Sequence, residues 1–302
     1  MTCFTGCGTA LVTPFTATGE IDERTIRRLV HRQVHAGIDF LVPCGTTGES
    51  PALTRAEHLR VVAVTVEEAR GAVPVVAGAG GYNTAEVIEL ARELESVGVD
   101  GLLSVTPYYN KPTQTGLYQH YRAIAEAVSL PVILYNVPGR TGVNIEPATV
   151  ARLAAIDNIV GVKEASGNIQ QIARVLHEVP ADFTVLSGDD AVAIAAIALG
   201  ARGLISVASN EIPAEMTAMV RAAMSGDSVE ARRLHDAWFE LMEVNFVESS
   251  PIPVKAALAM MALIEPVWRL PLTPPSDATR EKVEAVLRAG SLLPRVRARH
   301  AA

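Results

Sequence analysis

The sequence predicts a closed (β/α)8 barrel, the TIM-barrel fold, followed by a small C-terminal helical domain. Eight short apolar runs are each bounded by Gly, Pro or Asp, and the stretches between them have apolar residues at helical spacing. An open doubly wound sheet usually has fewer strands and a glycine-rich first turn, so the eightfold repeat favours the barrel. The predicted strands are 8–12, 40–42, 73–77, 101–105, 132–135, 159–163, 184–186 and 203–206.

The predicted helices divide the chain into two parts. Thr54, with Glu57 three residues later, is typical of the start of a barrel helix. After Asn210 the alternation of strands and helices stops, and only helical patterns punctuated by prolines follow. We therefore place the barrel at residues 1–226 and the helical domain at residues 227–302. The last predicted helices are 216–225, 229–246, 253–263 and 279–289.

The composition excludes several classes of protein. The 302 residues include 26 basic and 33 acidic side chains and are 49% hydrophobic, which excludes intrinsic disorder and argues against nucleic-acid binding. No run approaches the ~18 apolar residues of a membrane span, and we identify no secretory signal. We expect a cytoplasmic protein without membrane or nucleic-acid partners. A basic run at the C-terminus is typical of a solvated tail and comprises Arg295, Arg297, Arg299 and His300.

No metal site is expected. Cys3, Cys7 and Cys44 are too few for a disulfide framework, and they lack the further ligands of a structural zinc site. His31 and His35 lie four residues apart on a presumed outer helix without a third ligand, which favours a surface position. No histidine stands at a predicted strand end, so a metal-dependent hydrolase is not indicated.

Lys163 is the main catalytic candidate, because reacting groups in such barrels lie at the C-terminal ends of strands. In its strand, Val160 and Val162 share one face and Lys163 lies on the other. If the valines face the helices, the lysine points into the barrel. Desolvation lowers the pKa of an amine, which can then form an imine with a carbonyl substrate. The alternative is an edge lysine that extends to water, but a closed barrel has no edge.

Further polar groups stand at the same ends of the strands. Tyr135 ends the strand before that of Lys163 and either passes a proton or only packs in the core. Thr46 and Thr47, in a glycine-flanked turn, suit a small carboxylate, although such turns also occur without a ligand. Arg140, on a Pro-Gly loop, either binds a substrate carboxylate or is a solvated loop residue.

Seven motifs, in order along nearly the whole chain, resemble the dihydrodipicolinate synthase family. The threonine and lysine motifs are shared with the wider superfamily of pyruvate-dependent aldolases that includes N-acetylneuraminate lyase. The tyrosine pair and the Pro-Gly-Arg loop are more specific. The motifs are ALVTPF at 10–15, GTTGES at 45–50, PYYNKP at 107–112, YNVPGRT at 135–141, GVKE at 161–164, SGDD at 187–190 and PIPVK at 251–255.

The resemblance implies a lyase that makes 4-hydroxy-tetrahydrodipicolinate for diaminopimelate and L-lysine biosynthesis. Lys163 would form an imine with pyruvate, and the resulting enamine would attack the aldehyde of L-aspartate 4-semialdehyde. The resemblance implies no organic cofactor, because the imine itself accepts the electrons. It also implies a homo-oligomer, at least a dimer and commonly a tetramer.

The resemblance also assigns a role to each site residue. Tyr135, Thr47 and a Tyr109 from a neighbouring subunit would relay protons. Thr46 and Thr47 would bind the pyruvate carboxylate, and Arg140 would bind that of the semialdehyde. Two residues would line the site through backbone groups, and these are Gly188 and Ile205.

One departure from the family pattern concerns regulation. Members inhibited by lysine resemble one another in a His and an Asn at an interface site. The chain has Arg55 and Tyr82 there, although Glu86 and Tyr108 fit the pattern. We therefore expect lysine to inhibit weakly or not at all.

Two alternative functions remain open. One is another pyruvate-dependent aldolase, acting on N-acetylneuraminate or a 2-keto-3-deoxy sugar acid, which would need contacts to sugar hydroxyls in place of Arg140. The other is a barrel that binds a metabolite without catalysis, since fold does not prove function. That alternative predicts the loss of Lys163 or of a relay residue, and all of these residues are present.

Overall fold

The computed structural model describes residues 4–293 and confirms the predicted barrel. Its parallel strands are hydrogen-bonded in the order β2-β1-β8-β7-β6-β5-β4-β3. A parallel bridge between Leu41 and Val75 joins the two ends of this sheet, so the barrel is nearly closed. The strands are β1 (Gly6–Ala10), β2 (Phe40–Val42), β3 (Val76–Gly78), β4 (Gly101–Val105), β5 (Val132–Asn136), β6 (Ile159–Glu164), β7 (Thr184–Ser187) and β8 (Gly203–Ser206).

Five strands differ from their predicted bounds, and three of them, β5, β6 and β7, only by one further residue at the end. The larger differences, in β1 and β3, arise where side chains take the place of backbone partners. β1 ends before residue 12, where the N–H of Val12 donates to Oδ1 of Asn210 at 3.2 Å. β3 begins at Val76 rather than at residue 73, because Pro74 has no N–H and the N–H of Val75 donates to Oδ2 of Asp100 at 2.8 Å.

Helices follow the strands around the barrel and continue after it. Thr54 caps the second helix in a capping box with Glu57, as predicted. The eleventh helix ends at Met260, earlier than predicted, because the chain turns at Ala262 with a φ of +58°. The helices are α1 (Glu23–His35), α2 (Arg55–Ala69), α3 (Thr84–Val97), α4 (Gln114–Ala127), α5 (Pro138–Thr141), α6 (Pro147–Leu153), α7 (Ile169–Glu178), α8 (Ala193–Ala198), α9 (Pro213–Met224), α10 (Ser228–Val244), α11 (Ile252–Met260) and α12 (Asp277–Ala289).

The C-terminal helices pack on the barrel as well as on each other. Helix α9 follows β8 and contacts α10, while α12 contacts both α10 and α11. The domain boundary between residues 226 and 227 stays a prediction.

Within residues 4–293, no helix combines the length and apolar character needed to cross a membrane. His31 and His35 are exposed on α1, with ring centroids 3.9 Å apart. Outside the described residues lie Cys3, Arg295, Arg297, Arg299 and His300.

Strand alternation divides the core into an outer layer under the helices and an inner cluster inside the barrel. β6 contains one extra residue, Val160, opposite the step between Val132 and Ile133 of β5. Val162 belongs to the outer layer, whereas Val160 packs against the inner cluster. The prediction that the two valines share the helix-facing side is therefore wrong for Val160, because the bulge shifts its direction. The direction predicted for Lys163 is unaffected.

Candidate active site

Lys163 and Tyr135 contact each other across two neighbouring strands. They are paired in the register between β6 and β5, and Nζ of Lys163 lies 4.4 Å from the centroid of the Tyr135 ring. Both side chains are buried, with 5% of Lys163 and 7% of Tyr135 exposed. The inner cluster holds Tyr135 beside Leu186, the register partner of Lys163 on β7. The lysine amine is thus enclosed within the C-terminal half of the barrel.

Gly188 lies against Lys163, and Ile205 belongs to the same inner cluster as Tyr135. Gly188 follows β7, and a Cβ atom at its position would lie 2.9 Å from Cε of Lys163. Any side chain there would displace the lysine, so glycine provides the space that Lys163 occupies. Ile205, on β8, is fully buried in the inner cluster with Tyr135.

A cavity of about 620 Å³ opens beside the pair. Thr46, Tyr135 and Arg140 line it, and it borders Lys163 through the tyrosine ring. Lys163 itself does not line it, and neither do Thr47, Gly188 and Ile205. Away from Tyr135, the cavity extends to a second region whose side chains include Arg55, Tyr82, Glu86 and Tyr108.

The turn that carries Thr46 and Thr47 is held from several sides. The N–H of Glu49 donates to the carbonyl of Thr46 at 3.1 Å, and the Thr13 hydroxyl donates to the carbonyl of Gly48 at 2.7 Å. Thr47 is 4% exposed. A Cβ atom on Gly48 would meet the backbone of Cys44 at 3.0 Å. The turn therefore presents its polar groups from a fixed backbone.

Arg140 lies on the short helix α5, which Pro138 begins. Its Nη2 donates to the carbonyl of Ser250, in the C-terminal segment, at 3.2 Å. No carboxylate within residues 4–293 forms an ion pair with its guanidinium. Because the side chain lines the cavity, its charge and remaining donors face a space that an anionic substrate can enter.

Tyr109 does not join these residues within one chain. It follows β4, is 89% exposed and has a φ of +70°. The neighbouring Tyr108 does line the cavity, with its ring centroid 5.4 Å from that of Tyr82. The structure therefore separates Tyr109 from Lys163 and Tyr135, so a single chain lacks this predicted relay residue at its site.

A buried polar network behind the site has no counterpart in the sequence predictions. Nδ2 of Asn136 donates to Oε2 of Glu164 at 2.9 Å, and Nε2 of Gln171 donates to the same oxygen at 3.1 Å. These bonds hold the residues that directly follow Tyr135 and Lys163. Polar residues that end two buried strands are the signal that could have indicated the network.

Burial and ion pairing shift the pKa values of a histidine that lines the cavity and of a glutamate beside it on α2. Burial lowers the pKa of His58 to about 4, and its Nε2 lies 2.9 Å from the carbonyl of Gly78, to which the neutral ring donates. The Arg269 side chain holds the pKa of Glu57 at about 2. No group of three or more His, Cys, Asp or Glu side chains in the described part of the chain is arranged to hold a metal ion.

Comparisons with known proteins agree with this geometry. The model of the Dihydrodipicolinate synthetase family matches residues 3–290. The chain is similar to the 4-hydroxy-tetrahydrodipicolinate synthase of Koribacter versatilis, with 56% identity over 282 residues, 93% of this chain and 94% of the relative. Its fold is similar to the crystal structure of dihydrodipicolinate synthase from Aquifex aeolicus, with a TM-score of 0.95 and 43% identity, covering 97% of this chain and 100% of the other. The chain belongs to the dihydrodipicolinate synthetase family.

Proposed function

We propose that the chain condenses pyruvate with L-aspartate 4-semialdehyde to give 4-hydroxy-tetrahydrodipicolinate, in the cytoplasmic route to diaminopimelate and L-lysine. One observation carries the chemistry: a buried lysine amine lies against a tyrosine ring beside a cavity that contains an unpaired arginine. A lysine in such surroundings is the group that attacks carbonyl carbons to form imines. The names of the relatives supply the product, and pyruvate and the semialdehyde are the substrates that the family resemblance implies.

The reaction balances without an oxidant or a reductant. The Lys163 amine adds to the C2 carbonyl of pyruvate, and loss of water gives the imine. A proton leaves the methyl group, and the resulting enamine carbon attacks the aldehyde carbon, whose oxygen becomes a hydroxyl. The amine of the semialdehyde then adds to the imine carbon, closes the ring and releases Lys163. Because the imine accepts the electron pair left when the methyl proton leaves, and the enamine then donates that pair to the aldehyde carbon, the reaction requires no metal or organic cofactor.

Protons pass through a series of hydroxyl groups. Tyr135 stands against Lys163, Thr47 belongs to the turn after β2, and a partner copy contributes Tyr109. The exposure of Tyr109 and its φ of +70° support this role. Such a backbone costs roughly 1–3 kcal/mol for a non-glycine residue, and such costs cluster at functional sites. The active unit is then at least a dimer, and we propose a tetramer as the complete assembly.

The two substrate carboxylates bind at different places. Thr46 and Thr47 bind the carboxylate of pyruvate through hydroxyl and backbone N–H groups, while backbone groups of Gly188 and Ile205 line the site. Arg140 binds the carboxylate of the semialdehyde on the cavity side.

Arg140→Ala is expected to raise the KM for the semialdehyde by about 10- to 100-fold, because one charge-assisted interaction contributes roughly 1.5–3 kcal/mol. The KM for pyruvate should change much less, and Arg140→Lys should give an intermediate value, because it keeps the charge without the planar fork. Steady-state kinetics with each substrate varied in turn measure both constants. Equal losses for the two substrates would contradict this assignment.

Turnover of the two substrates tests the proposed function directly. The product is consumed by the downstream reductase, so NADPH loss that stops when either substrate is omitted is the expected result. If no turnover occurs but borohydride still traps pyruvate on Lys163, the chain is an aldolase for sugar acids. If neither occurs, the site binds a metabolite without catalysis.

Lysine is expected to bind weakly or not at all. Arg55 stands in the second region of the cavity, where its Nη2 donates to the carbonyl of Glu86 at 3.2 Å. A guanidinium here repels the two amino groups of lysine. The double variant Arg55→His, Tyr82→Asn, which restores the residue types of the inhibited relatives, should bind lysine more tightly. Calorimetric titration compares the two proteins, and tight binding to the unchanged chain would contradict the prediction.

A further inference from the structure

Three residues with no part in the proposed chemistry, each from a different motif, meet at one buried cluster. Phe15, Glu49 and Lys255 come from the ALVTPF, GTTGES and PIPVK motifs and lie close together inside the protein. Nζ of Lys255 forms an ion pair with Oε1 of Glu49, and both side chains are 0% exposed. The ammonium also lies 4.3 Å from the centroid of the Phe15 ring.

The C-terminal segment holds both carboxylate oxygens of Glu49. Lys255, on α11, binds Oε1, and the backbone N–H of Arg269 donates to Oε2 at 3.3 Å. The guanidinium carbon of Arg269 lies 4.4 Å from the centroid of the same Phe15 ring that Lys255 contacts. A side chain from the turn after β2 is therefore fixed by two groups that lie more than 200 residues later in the chain.

The same glutamate closes the turn of the candidate site. Glu49 has a φ of +52°, which a residue other than glycine adopts only where surrounding contacts impose it. Its N–H donates to the carbonyl of Thr46 at 3.1 Å, and it lies two residues after Thr47. Its side-chain contacts therefore constrain the backbone of the residues assigned to the pyruvate carboxylate.

We propose that Glu49 and Lys255 are positioning residues, whose buried ion pair holds the turn of Thr46 and Thr47 in the geometry that binds the carboxylate of pyruvate. This inference rests on the proposed function. Through this pair, the C-terminal helices set the affinity of the barrel for its first substrate. The pair takes no part in the chemistry itself. The charged groups of Glu49 and Lys255 bind each other, and neither residue lines the cavity.

The test separates positioning from stability with single and double variants. Glu49→Gln or Lys255→Met alone leaves an unpaired buried polar group and should lower the melting temperature strongly. The double variant removes both charges and should recover much of that loss. Its half-saturating pyruvate concentration, measured by borohydride trapping on Lys163, should still rise about tenfold, the loss of roughly one hydrogen bond.

The KM for the semialdehyde and the extent of trapping at saturating pyruvate should stay near the wild-type values. Leu287→Ala is the matched control, because it creates a cavity in the buried face of α12 away from the turn. It should lower the melting temperature without changing pyruvate saturation. If the half-saturating pyruvate concentration of the double variant equals that of the wild type, the positioning role is wrong, while the proposed function is unaffected. A wild-type enzyme that forms no adduct would overturn the proposed function together with this inference.

Discussion

Lys163→Ala is expected to abolish turnover, by at least about a thousandfold, and to leave no pyruvate adduct after borohydride reduction. The chain has four lysines, and their surroundings differ. Lys111 and Lys282 are exposed, and Lys255 is bound to Glu49. Lys163 is the one buried lysine that no carboxylate of residues 4–293 pairs with. Its amine is therefore the one placed to attack a carbonyl substrate in an enclosed site.

Intact mass after incubation with pyruvate and borohydride measures this result. Hydride reduces the imine to a stable secondary amine, so each modified lysine retains the carbon skeleton of pyruvate. Lys111→Ala is the control variant and should acquire the adduct as the wild type does, because Lys111 is exposed and lies outside the inner cluster. An adduct that forms on Lys163→Ala would refute the assignment of the nucleophile.

The barrel could be predicted because its signals are local. Each strand is a short apolar run between turn residues, and each barrel helix has its own cap or apolar face. Some of the errors arise where a side chain that is distant in the sequence binds the backbone of a strand. The first strand ends at Ala10 because Asn210, from the segment after β8, binds the N–H of Val12. No local pattern contains that information.

For the candidate site, too, local sequence patterns predict some contacts and miss others. The contact between Lys163 and Tyr135 could be predicted, because strand order and alternation place both side chains inside the barrel. The bulge at Val160 could not, because an extra residue leaves the apolar pattern of β6 unchanged. The pairing of Glu49 with Lys255 connects positions 206 residues apart, and only the three-dimensional fold brings them together.

Tyr109→Phe is expected to lower turnover by about 10²- to 10⁴-fold, the range for loss of one proton-transfer group. Mixing it with the inactive Lys163→Ala variant should then restore about a quarter of the wild-type activity. Random exchange of subunits makes half of the dimers mixed, and each mixed dimer has one complete site of two. That site takes Lys163 from one chain and Tyr109 from its partner. Turnover before and after mixing, with native mass spectrometry to confirm the exchange, measures the recovery.

A second mixture makes this result specific to a shared site. Tyr135 and Lys163 contact each other within one chain, so mixing Tyr135→Phe with Lys163→Ala leaves one defect in every site and should restore nothing. Recovery in that control would mean that mixing itself stabilises the subunits. Confirmed exchange without recovery for Tyr109 would instead place its hydroxyl outside the partner's site. Its 89% exposure would then require another explanation. Only a site completed by a second copy explains recovery of turnover in the mixture with Tyr109→Phe and no recovery in the mixture with Tyr135→Phe.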